Sequence, residues 1–236
     1  MAQADWTLLT PVAGGVRKGV TAGVPTPPSI ISNDFLYAFN SIDDESNCVA
    51  LHVNGTGFVP TAKGGYISAV FKRGESAAPA GFSPFLFISA SGTTIADVAY
   101  VLGLSDENPY HIVLLKGALA NGAPGGLGPG AGGVLLRSDD SYAYEDDLWH
   151  HLRLMAVKNT NGDVVLSVQK NDIDTNQIGQ SPVWANVPGM EQFIDDVTEI
   201  NTGSAPYAAG FMGYGFQSTE ISRRVYFDQI IVASQN

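Results

Sequence analysis

Apolar and polar residues alternate with period two along several stretches of this 236-residue chain, the pattern of half-buried strands. Between 66 and 73, Ile67, Ala69 and Phe71 interleave with Tyr66, Ser68, Val70 and Lys72. Between 149 and 158, Leu152, Leu154 and Ala156 take one face and His151, Arg153 and Met155 the other. Val164, Leu166 and Val168 continue the pattern over 163–170. Asn159-Thr160-Asn161-Gly162 separates the last two runs, and Asn-Gly supplies the φ > 0 residues that a hairpin turn needs. The sequence therefore predicts an antiparallel hairpin of 149–158 with 163–170, with Leu152, Leu154, Val164 and Leu166 facing the core.

Further β-rich runs, bounded by turn-forming clusters, occur at 35–40, 48–54, 85–89, 98–104, 110–116, 133–137, 208–217 and 224–233. Gly210, Gly213 and Gly215 mark close backbone packing or bulges in one of them. One segment has helical spacing instead. Met190, Phe193, Ile194 and Val197 fall at i, i+3, i+4 and i+7 and predict a short helix. About ten to twelve strands at short intervals, without βαβ alternation, predict an all-β antiparallel sandwich over residues 29–236.

Residues 1–28 are different. Trp6, Leu8, Leu9 and Val12 are set among Pro11, Gly14, Gly15, Gly19, Gly23, Pro25, Pro27 and Pro28, which block a helix or a central strand. The segment reads as an extended N-terminal arm or as an unordered tail. As an arm it would bury Trp6, Leu8, Leu9 and Val12 against a partner. Residues 117–133 contain eight glycines together with Pro124 and Pro129, a long loop without the order of a phosphate-cradling motif. It reads as a surface loop that orders against a neighbouring subunit.

Composition narrows the function classes. Gly and Pro number 27 and 13, too many chain breakers for a helical bundle, while 44% hydrophobic residues exceed what a disordered chain carries. Lys and Arg total 12 against 23 Asp and Glu, a net charge of −11, and the cations are scattered, so no nucleic acid is expected as a partner. Cys48 is the lone cysteine, which excludes an internal disulfide and a thiolate metal cluster. Neither a secretory leader nor a membrane-inserted segment is expected from the pattern.

Candidate chemistry is sparse. Glu145, Asp146 and Asp147 cluster before Trp149, yet the E-x-D-x-x-E strand of laminarinase-type sandwich glycosidases is missing, so a solvated acidic turn is the better reading. Asp172, Asp174 and Asn176 begin like a calcium loop, but Gln177 and Val183 stand where its glycine and bidentate glutamate belong. Cys48 and His52 are too far apart on a strand to share a proton, and the adjacent His150 and His151 point to opposite faces. His111 reads as a packed or edge histidine, and no G-x-S-x-G elbow occurs. No catalytic residue, metal or cofactor is expected, and no enzyme.

The run Trp149-His150-His151-Leu152-Arg153-Leu154, followed by Asn161-Gly162-Asp163-Val164-Val165-Leu166, resembles laminin-G and concanavalin A-like jelly rolls. So does the closing run 223–232, in which Asp228 precedes alternating apolar residues; the resemblance spans roughly residues 30–234. It implies a concanavalin A-like (laminin-G-like) jelly-roll sandwich with the arm and one short helix. Tyr100-Val101-Leu102-Gly103-Leu104-Ser105, Leu115-Lys116-Gly117, the Trp149 run and Ser222-Arg223-Arg224 together resemble structural proteins of tailed bacteriophages. That resemblance implies a virion component made in the bacterial cytoplasm, attached to tail, neck or capsid through other virion proteins and copies of itself, with no catalytic residues. The alternative is a lectin-like module that binds a surface glycan in host adhesion, with Trp184 or Tyr144 stacking on a sugar.

Overall fold

The computed structural model describes residues 6–9, 14–18, 36–40, 48–58, 64–73, 82–92, 97–105, 110–118, 133–142, 149–171, 182–198, 202, 204–207, 209–218 and 224–234. Side chains are described at 64–72, 84–92, 97–105, 110–117, 133–142, 149–171, 182–198, 202, 204–207, 209–215, 227 and 229–233. The chain folds as a concanavalin A-like jelly roll, two antiparallel sheets packed face to face.

In chain order the strands are β1 (Trp6–Leu9), β2 (Gly14–Lys18), β3 (Leu36–Asn40), β4 (Cys48–Phe58), β5 (Gly65–Arg73), β6 (Phe82–Ala90), β7 (Val98–Leu104) and β8 (Ile112–Ala118). They continue with β9 (Val134–Arg137), β10 (His150–Lys158), β11 (Val164–Asn171), β12 (Trp184–Asn186), β13 (Phe193–Asp195), β14 (Gly210–Ser218) and β15 (Arg224–Ser234). The first sheet runs β1-β4-β14-β6-β7-β8-β9 and the second β12-β11-β10-β5-β15-β3-β2, with β13 also on the edge of β11. Within segment 1–28, β1 pairs with β4 and β2 with β3, one on each sheet. The side chains of Trp6, Leu8 and Leu9, and Val12 altogether, lie outside the described residues, as do most of the glycine-rich loop, residues 119–132.

The central core is built by the alternation. Ile67, Ala69 and Phe71 of β5, Leu152, Leu154 and Ala156 of β10, and Val164, Leu166 and Val168 of β11 meet Leu86, Ile88, Tyr100, Leu102, Ile112, Leu114 and Tyr214 of the first sheet. All are buried. The two sheets differ on their other faces. The first carries a second buried apolar cluster, Phe85, Phe87, Ala90, Ala99, Val101, Val113 and Leu115. Strands β6, β7 and β8 are thus apolar on both sides, which is why 85–88 reads Phe-Leu-Phe-Ile without alternation. Among its described side chains, the second sheet mixes polar and aromatic residues with a few apolar ones, Val70, Met155 and Ile231, on its outer face.

The hairpin forms in the predicted register region, Leu154 opposite Val168 and Ala156 opposite Leu166. Its turn departs from the two-residue Asn-Gly form: Gly162 alone has positive φ, at 95°. The Gly162 amide donates to the Asn159 carbonyl (3.1 Å) and the Asn159 amide to the Asp163 carbonyl (3.0 Å). The loop is therefore Thr160-Asn161-Gly162, a turn followed by one left-handed residue. Asn159 Oδ1 accepts from the amides of Asn161 and Asp163 and fixes that longer loop.

The helix expected over 190–197 is not there. Phe193–Asp195 is a strand on the free edge of β11, with Val164 opposite Asp195 and Leu166 opposite Phe193. Ile194 and Val197, two of the four supposed helix-face residues, are 40% and 49% exposed, whereas Asp195 is fully buried. Edge pairing and a buried carboxylate override a four-residue periodicity too short to nucleate a helix. At Gly210, φ is 155° and a Cβ would lie 2.1 Å from the Ala90 carbonyl oxygen, so the close approach expected near the 208–217 glycines is real there.

Candidate functional site

Pairing across the second sheet gathers residues distant in sequence into rows on its outer face. Arg153 stands opposite Ser68 of β5 on one side and Gln169 of β11 on the other. Gln169 in turn faces Asn186 of β12, and Ile231 of β15 faces Ser68. The row is Ile231, Ser68, Arg153, Gln169, Asn186. A neighbouring row places Val70 opposite His151 and Asn171 opposite Trp184, and a third sets Tyr66 opposite Met155. Direct partners in antiparallel strands share a face, so these side chains lie together, with Ser68, Val70 and His151 buried, Tyr66, Arg153, Gln169 and Trp184 half-buried and Asn186 exposed.

Arg153 is the centre. Its guanidinium carbon lies 4.3 Å from the Trp184 ring centroid and 5.0 Å from that of Tyr66. Nε donates to Gln169 Oε1 at 2.9 Å, and Nη2 donates to the same oxygen. Gln169 Nε2 donates to Asn186 Oδ1 at 3.2 Å. Burial lowers the Arg153 pKa from its ordinary value, with the Tyr66 hydroxyl opposing. The His151 ring meets Trp184 edge-on at 4.6 Å, and its Nδ1 lies 3.4 Å from Asn171 Nδ2. Burial first, and the Arg153 charge second, push His151 down to about 4, so its imidazole is neutral at ordinary pH. Two buried polar atoms here have no partner, His151 Nε2 and Ser68 Oγ. A flat cation, two aromatic rings and a line of side-chain amides suit recognition of a hydroxyl-rich ring with a polar edge.

A second polar constellation sits inside the sandwich. Lys116 Nζ lies 2.8 Å and 3.1 Å from the two carboxylate oxygens of Asp195 and donates to Thr202 Oγ1 and the Ser204 carbonyl. Tyr100 donates its hydroxyl to Asp195 Oδ2 (2.5 Å) and accepts from the Tyr207 amide (2.9 Å). Burial, then the Asp195 carboxylate, raises the Tyr100 pKa. Asp195 is fully enclosed and every oxygen is used, which makes this a cross-sheet tie between β7, β8 and β13 and not an accessible site.

The sequence-predicted candidates fall elsewhere. Trp184 joins the outer strip, whereas Tyr144 lies outside the described residues. His150 and His151 do point to opposite faces: His150 stands opposite the inward Phe71, His151 opposite Val70. His111 is buried, with Nδ1 3.0 Å from the Ser138 carbonyl oxygen and Nε2 3.5 Å from Asp140. Glu145, Asp146, Asp147, Asp172, Asp174 and Asn176 lie outside the described residues, and so do the side chains of Cys48 and His52. Among the described residues no group of three or more His, Cys, Asp or Glu could hold a metal, and no helix is long and apolar enough to cross a membrane. Tyr66, Arg153, Gln169 and Asn186 were not singled out from the sequence as a site. The available signal was Arg153 and His151 on the face of the strand opposite Leu152, Leu154 and Ala156.

No family model and no curated protein matches the chain. Among solved structures it is similar to the carbohydrate-binding module CBM66 from Bacillus subtilis, at 9% identity and TM-score 0.51, covering 98% of this chain and 96% of that one. It is also similar to an endo-β-1,4-glucuronan lyase from the fungus Trichoderma reesei, at 9% identity and TM-score 0.53, covering 97% and 90%. The likeness is one of fold, over the whole sandwich.

Proposed function

We propose that this chain is a glycan-binding module whose site is the outer strip of Trp184, Arg153, Tyr66, Gln169 and Asn186. The observation that carries the reading is the placement of Arg153 between the Trp184 and Tyr66 rings, with Gln169 and Asn186 extending the row. Aromatic faces hold the apolar side of a sugar ring and amides hold its hydroxyls. Two similar folds, a carbohydrate-binding module and a glucuronan lyase, support the reading by what they act on. Strands β6, β7 and β8 of the first sheet, apolar on both faces, offer no comparable polar surface among their described residues.

We read the strip as a surface for binding and not for turnover. His151 at about 4 is a weak base at neutral pH, and the arginine is clamped by rings and an amide. The resemblance to tailed-phage structural proteins supplies a setting, a virion surface that meets host glycans. There Trp6, Leu8, Leu9 and Val12 would be the contact with other virion proteins or copies of the chain.

A glycan array probed with the wild type and with Trp184→Ala tests the reading. The wild type is expected to retain glycans that the variant loses. A wild type that retains none, but that captures virion proteins from phage-infected cells, would return the account to a purely structural role. Incubation with glucuronan is expected to release no unsaturated product; steady release would make the chain an enzyme.

A further inference from the structure

We propose that the strip is specific for acidic glycans, with the Arg153 guanidinium pairing with a sugar carboxylate while Gln169 and Asn186 take neighbouring hydroxyls. The inference rests on the glycan-binding reading and names the ligand class for that site.

The observation behind it is a charge without a counter-charge. Arg153 is half-buried and its faces are covered by Trp184 and Tyr66. Its hydrogen bonds go to a neutral amide oxygen, Gln169 Oε1, through Nε and Nη2. Nη1 has no protein acceptor, and no carboxylate pairs with the guanidinium, among the described residues. In a chain with 23 Asp and Glu against 12 Lys and Arg this is a distinctive omission, because a partly desolvated cation ordinarily takes an acidic neighbour. Of the rows' other polar groups with described side chains, Ser68, Asn171, Gln169 and Asn186 are uncharged and His151 is neutral; Asp228, opposite Val70 on β15, has its side chain outside the described residues.

Two further features point the same way. Ser68 Oγ, opposite Arg153 in the ladder, and His151 Nε2, beside Trp184, are buried neutral atoms that supply Arg153 no counter-charge. Neutral His151 adds no second cation, so the site fits one acid group and not a polyanion cluster. A carboxylate presents two coplanar oxygens to a planar fork, and Gln169 fixes the plane of that fork from its Nε side. The remaining edge is the part of the guanidinium left to a ligand.

The test is a binding titration of the full chain against oligosaccharide pairs that differ only in charge. The pairs are oligogalacturonate and its methyl ester, and sialyllactose and lactose; a sulfated galactan oligomer is the third probe. The acid member of at least one pair is expected to bind about tenfold or more tighter than its uncharged counterpart, a preference that falls as salt is raised. Arg153→Gln is expected to reduce that acid member to the level of its counterpart, with Arg153→Lys in between because it keeps the charge and loses the fork. A thermal melt of each variant shows that it is folded. Equal binding of acid and neutral members, lost in Trp184→Ala, overturns this inference and leaves the glycan-binding reading standing. Preference for the sulfated oligomer over both carboxylates overturns the carboxylate assignment. Binding of none of the probes, with an empty glycan array, overturns both.

Discussion

Lys116 and Asp195, 79 positions apart in the chain, form an ion pair at 2.8 Å in which both side chains are cut off from solvent. They join strand β8 of one sheet to β13 on the edge of the other, and Tyr100 and Thr202 complete the carboxylate's hydrogen bonds. A buried charge left alone is far costlier than a buried pair is stabilising. Asp195→Ala or Lys116→Met is therefore expected to destabilise by about 3–5 kcal/mol. The double variant Lys116→Met/Asp195→Ala should cost much less than the sum. Urea denaturation of the four proteins in a double-mutant cycle checks this; additive losses would show that the pair is not coupled.

Leu154 is fully buried where the hairpin strand β10 meets the core. Leu154→Ala is expected to cost about 2–5 kcal/mol in equilibrium unfolding, through lost transfer energy plus the cavity left behind. A loss below about 1 kcal/mol would contradict so tight a site.

The legibility of the fold follows from distance along the chain. Strand β10 and its partner β11 were readable because their alternation and the intervening turn are local. The turn itself was readable only in outline: Asn159 Oδ1 draws in two amides and gives the loop one more residue than Asn-Gly suggests. The 190–197 helix failed because Met190, Phe193, Ile194 and Val197 mimic a helical face, while Asp195, which decides the conformation, finds Lys116 and Tyr100 only through tertiary structure. The site failed for the same reason. Arg153 and His151 were visibly on the polar face of their strand, but Tyr66, Gln169 and Asn186 join them through ladder register, which composition does not carry.

His151 makes stability depend on pH. Its folded value, about 4, lies below the ordinary 6.5, so the unfolded chain binds the proton more readily. The folded state is at full strength above about pH 6.5 and loses stability as pH falls from there towards 4, by on the order of 2–3 kcal/mol. His151→Gln should flatten that part of the profile. Melting temperatures followed from pH 7.5 to 4.5 check it, and an unchanged slope in the variant would assign the acid sensitivity to other groups.

Trp184 is expected to be an anchor of the ligand. Removing a large aromatic from a binding surface where it anchors the ligand commonly costs roughly 2 kcal/mol or more, about thirtyfold in affinity. Trp184→Ala should show that loss in a titration with whichever glycan the array selects, and Trp184→Phe a smaller one. An unaffected affinity would move the site off this face.

The most direct measurement is chemical-shift mapping of the isotope-labelled chain titrated with its selected glycan. The account predicts that the Trp184 indole N–H, the Arg153 Nε–H and the side-chain amides of Gln169 and Asn186 shift together along one saturable curve. Saturable shifts confined to other surfaces, with these four groups unmoved, would contradict it.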